Sequence, residues 1–70
     1  MSRYEILREI ENNIDGARIE LAPFYNSKDL DEMEEAIWTF LNRLDERDLK
    51  VIGRYDMEAI INLLECYKNL

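Results

Sequence analysis

The sequence predicts an all-α fold, a compact three- or four-helix bundle in a single small domain, on three observations. Apolar residues recur at the three-to-four spacing of a helix face, Ser, Asn and Asp stand where helix N-caps belong, and strand-like alternation is nearly absent. With 70 residues the chain holds one core, since a protein of this length buries only roughly 60% of the surface its unfolded form exposes.

Ser2 followed by Glu5 is a capping box that opens a first helix at Arg3. Leu7, Ile10 and Ile14 share one face, widened by Ile6, while Glu5, Glu9 and Asn12 fall opposite. Asn12, Asn13, Asp15 and Gly16 are weak helix formers that together cost about 2 kcal/mol relative to alanines. Gly16 also suits the residue just past a helix end, so the predicted helix is 3–15. Residues 17–22 read two ways. Ala17 and Leu21 continue the helical phase, whereas Ala17, Ile19 and Leu21 alternate like a short strand. Ile19 would project away from the apolar face of a continuous helix, which favours a break and a short separate segment. Pro23 ends either arrangement, and Pro23 to Ser27 forms a loop whose aromatics, Phe24 and Tyr25, need cover from the core or a partner.

Ser27 or Asn26 caps a second helix, predicted over 28–45, whose first turns carry Asp29, Asp31, Glu32, Glu34 and Glu35 at the positive end of the helix dipole. Leu30, Met33, Ile37, Phe40 and Leu44 keep the core spacing, and Leu41 broadens that face. Asp45 caps a short helix over 46–52, closed by Gly53. Asp56 caps the last helix, 57–68, whose apolar residues cover more than half its circumference and leave Glu58, Asn62, Glu65 and Asn69 as a polar strip. A helix this apolar needs two neighbours, so it is either central to the bundle or turns one flank to another subunit.

The residue inventory narrows the function. There is no His, one Cys, two Ser and one Thr, so nucleophile–base pairs and most transition-metal sites lack their parts. No catalytic residue, cofactor or metal site is expected, and the chain reads as a non-enzyme. Glu32 with Glu35, and Asp31 with Glu35, have the spacing to share a Mg²⁺, but Asp45, Glu46 and Asp48 supply no matching second motif. One cysteine makes no intramolecular disulfide, and no signal-like or spanning apolar run occurs, which together favour a cytoplasmic protein with no membrane partner. A net charge of −7 disfavours direct nucleic-acid binding.

The acids are uneven: residues 23–46 hold seven acids and two bases. Such a run is either a solvated helix face or a patch for a basic partner protein. Trp38 lies about 120° from the centre of the core stripe, in a strip with Asp31, Glu34, Asn42 and Asp45. The alternatives are a ring folded over the core edge under Phe24 and Tyr25 or an interface anchor. Cys66 is expected to be a small buried hydrophobe on a flank with Ala59 and Leu63; with Leu70 these residues form the expected self-association surface of a homo-oligomer, a dimer first. The leading expectation is thus an acidic adaptor or inhibitor binding another protein through a Trp38-centred strip that includes Phe24 and Tyr25. The alternatives are a DNA-mimic inhibitor of a nucleic-acid-binding protein and a structural homo-oligomer. In composition, though in no motif, the chain is similar to the small acidic helical inhibitors of phages and plasmids.

Overall fold

The computed structural model of the chain describes residues 2–68, and every helix begins on a side-chain cap. Ser2 accepts the amide of Glu5 at 3.2 Å and opens α1 (Arg3–Leu21). Its hydroxyl also donates to the Glu5 carboxylate. Asn26 accepts the Asp29 amide at 2.8 Å and opens α2 (Ser27–Asn42). Asp45 accepts the Asp48 amide and opens α3 (Glu46–Ile52), which Gly53 closes at φ 73°, the left-handed conformation glycine adopts without strain. Asp56 accepts the Ala59 amide at 3.1 Å and opens α4 (Met57–Lys68). The result is a four-helix all-α bundle, and no helix among the described residues is long and apolar enough to cross a membrane.

Helix α4 is the central element. Both α1 and α2 pack on it extensively while touching each other little. Ile60 and Leu64 are wholly buried between Ile10, Ile14 and Ala17 of α1 and Leu30, Met33, Ile37 and Leu41 of α2. Short α3 rests on α1 through Leu49. Tyr55, in the connector after α3, completes the core: its hydroxyl donates to the Leu49 carbonyl, and its own carbonyl accepts from Asn13 at 2.6 Å. Burial pushes the Tyr55 phenol above its ordinary pKa.

Three expectations are corrected here. Helix α1 does not end at Asp15 but runs unbroken through Gly16 and residues 17–21. Gly16 is a packing residue: a Cβ built there would stand 2.5 Å from the Met57 methyl, so α4 approaches where a side chain would sit. Ile19 does project away from the core, 75% exposed, as continuous phase requires. Helix α2 stops at Asn42 rather than Asp45 because Asp45 is spent as the cap of α3, and Arg3 draws off the Leu44 carbonyl by a hydrogen bond of 3.2 Å. Phe40 is not core but 47% exposed. Leu41 takes the interior position, leaving the larger ring at the outer edge between α2 and α4.

Two measurements check this packing. Gly16→Ala removes a helix-interior glycine, worth up to about 1 kcal/mol of stability, but displaces the Met57 methyl. The full gain is therefore expected only in a Met57→Ala background, with a smaller one in the wild type, and equal gains in both would refute the close approach. Asp56 is held below the ordinary carboxylate pKa, first by Arg54 at 3.0 Å and then by the Ala59 amide. A carboxylate depressed on folding stabilises above its unfolded pKa, near about pH 4, and loses that contribution as the pH falls through the lower folded value. Asp56→Asn keeps a capping oxygen without the charge, so its unfolding free energy is expected to fall less steeply than the wild type's below about pH 4; parallel curves would remove Asp56 from the acid-sensitive groups.

Candidate functional site

The strip around Trp38 is largely occupied by contacts within the chain. Trp38 is half-buried against the core, and its indole N–H donates to Glu34 Oε2 at 3.3 Å. The other Glu34 oxygen accepts from Arg18 at 2.9 Å, and the same guanidinium donates to Asp31 at 2.7 Å. These two carboxylates hold the Arg18 pKa above its ordinary value, Glu34 more strongly. Arg18 and Trp38 thereby bridge α1 and α2, whose backbones make little contact. The outer side of Trp38 lines a shallow hollow of about 500 Å³ with Tyr4, Leu7 and Arg8 of α1. Asn42 and Asp45 stand exposed at the far end of α2, the latter engaged as a cap.

Phe24 and Tyr25 lie elsewhere. They follow the C-terminal end of α1, about 15 Å along its axis from the turn beside Trp38. Phe24 is 76% exposed. Tyr25 turns to α4, where its hydroxyl donates to Glu65 at 3.2 Å. Partial burial, then the Glu65 charge, raises the Tyr25 pKa.

The edge between α2 and α4 gathers what the sequence scattered. Ala36, Ile37 and Phe40 of α2 face Leu63, Cys66 and Tyr67 of α4 across an almost wholly apolar groove of about 290 Å³. Ala36, Phe40 and Tyr67 also line an adjoining hollow of about 460 Å³ flanked by Glu32, Glu35 and Arg43. Phe40 and Tyr67 are both more than 40% exposed. Of the expected self-association residues, Ala59 and Leu63 are half-buried, Leu63 packing on the core, and Leu70 lies outside the described residues. Cys66 is corrected from buried to exposed: it projects about 140° from the Ile60–Leu64 direction, on a flank of α4 that no described element covers. Phe40 and Tyr67 were missed as site residues because spacing alone assigns both to core-facing stripes.

The ion pairs thin the acidic patch. Asp29 is bound by Lys68 at 3.0 Å, Asp31 and Glu34 by Arg18, Glu46 by Lys50 and Asp56 by Arg54. The Lys68 pKa is raised, chiefly by Asp29. Among the described residues, Glu32, Glu35 and Arg43 make no ion pair, and no three acidic or cysteine side chains converge as metal ligands. Comparison with protein families, curated proteins and solved structures gives no match.

Trp38 is the single tryptophan, so its fluorescence reports the α1/α2 edge. Arg18→Met retains the aliphatic stem and removes both ion pairs. It is expected to cost about 1 kcal/mol of stability and to shift Trp38 emission to longer wavelength as Glu34 is released. An unchanged emission maximum would show that Arg18 does not hold this edge.

Proposed function

We propose that the protein is a non-enzymatic protein-interaction module that binds through the α2/α4 edge and acts by occlusion or scaffolding. The observation that carries this reading is the pair of exposed aromatics, Phe40 and Tyr67, standing around an apolar floor of Ala36, Leu63 and Cys66. Aromatic anchors beside an apolar hollow with a charged rim are the usual composition of an interface centre. The Trp38 strip is the weaker candidate, because its indole N–H, Asp31 and Glu34 are already engaged within the chain. The same pairings weigh against phosphate mimicry, which needs a free array of regularly spaced acids. A reducing, cytoplasmic setting fits the exposed single Cys66.

Capture with the tagged chain tests the assignment. Phe40→Asp is expected to reduce retained protein, further copies of the chain included, by about tenfold or more, while folded Trp38→Ala retains it within about twofold. The reverse pattern would move the site to the Trp38 strip. Release by moderate salt, regardless of either substitution, would favour mimicry instead.

A further inference from the structure

The outward face of α2 carries a charge pattern that matches itself when reversed. Glu32, Glu35, Ala36, Thr39, Phe40 and Arg43 fall within about 140° of arc on the helix. Lys28, in the first turn, falls on the same arc; from there the stripe runs through the acids Glu32 and Glu35, then a small residue beside a large ring, to the base Arg43 at the C-terminal end. Among the described residues, Glu32, Glu35 and Arg43 are also without ion pairs, whereas the neighbouring Asp29, Asp31 and Glu34 are all engaged. The nearby Lys68 is held by Asp29.

Building on the interaction reading of this edge, we propose that its occupant is a second copy of the same chain, docked with the two α2 helices antiparallel across a two-fold axis near residues 37–38. In that arrangement Glu32 and Glu35 of each copy face the other's Arg43, so the charged contact forms twice. Phe40 of each copy comes over the Ala36–Thr39 turn of the other, a ring against small side chains, as isologous packing requires. Burying the face strands no central polar group, because the Thr39 hydroxyl already donates to the Glu35 carbonyl at 2.9 Å. A parallel alignment would instead set Arg43 against Arg43 and the acids against acids. A standard interface takes roughly 800 Å² from each partner, about a sixth of this protein's 4831 Å². Helix α2 is about 24 Å long, and the exposed flank of α4 lies beside it.

Sedimentation equilibrium from micromolar to millimolar concentration tests the arrangement. The wild type is expected to dimerise reversibly. Arg43→Glu alone, and Glu32→Lys with Glu35→Lys alone, should each dimerise about tenfold more weakly. An equimolar mixture of the two variants should recover wild-type association, because both charged contacts are then complementary. Helical circular dichroism of each variant excludes a folding defect as the cause. A wild type that stays monomeric to millimolar concentration would overturn the second copy as occupant, and if Phe40-dependent capture of another protein persisted, the interaction reading alone would stand. Self-association without recovery in the mixture would overturn the antiparallel geometry.

Discussion

Everything in this fold depends on α4 being apolar on two sides. Helices α1 and α2 meet sparingly, so each gains its stability chiefly by burying a face against α4, with Ile60 and Leu64 shared between them. Full burial of such a side chain contributes about 1.5–3 kcal/mol, a large fraction of what a domain this small retains after chain entropy. The polar strip predicted for α4, Glu58, Asn62 and Glu65, is correspondingly narrow. Gly16 serves the same arrangement by letting the start of α4 approach α1, with the Met57 methyl where a side chain would stand. The helix-propensity cost of a glycine inside α1 is thus offset by a contact with the element on which α1 rests.

Three helices around one core leave three outer edges, and the chain treats them differently. The α1/α2 edge is bridged by Trp38 and the Arg18 ion pairs. On the side of α1 that meets α3, Leu49 and Tyr55 are buried, and Asn13 holds the connector through the Tyr55 carbonyl. Helices α2 and α4 are joined by the Lys68–Asp29 ion pair, but the apolar groove between them, with Phe40, Tyr67, Leu63 and Cys66 along it, has no further element of the described residues laid over it. Uneven coverage separates a surface aromatic that completes the fold, Trp38, from one that the fold does not need in that position, Phe40.

Local chemistry was legible in the sequence, and angular detail was not. Ser2, Asp45, Gly53 and Asp56 were readable because a cap needs only a side-chain oxygen or a left-handed residue at a fixed offset. The width of the α4 apolar face left two readings, a central helix or a flank turned to another subunit, and the packing of both α1 and α2 on α4 shows the first. Gly16 misled because its weak propensity is a local property, whereas its role depends on Met57, 41 positions away in the chain. Phe40 and Leu41 were exchanged in rank because neighbouring helix positions differ by only 100°, and which one faces inward is decided by where α4 settles. Tyr55 gave no periodic signal at all, being buried from a connector by two hydrogen bonds. Spacing puts Asp31 and Glu34 on the Trp38 side of α2, but nothing in it reveals that Arg18 reaches across from α1 to pair with both.

That neutralisation bears on what the acidic charge is for. Counted along the chain, the second helix carries an acidic excess that invites a basic partner. In three dimensions much of it is already answered: Arg18 takes Asp31 and Glu34, and Lys68 takes Asp29. The residual acids, Glu32 and Glu35, lie on a face of α2 that also carries a base, Arg43, with no ion pair among the described residues, and an exposed ring, Phe40. A general basic ligand would satisfy the acids and leave Arg43 opposed. A second copy reversed end to end satisfies all three together and covers the ring, which is why the pattern favours self-recognition over a simple acidic patch.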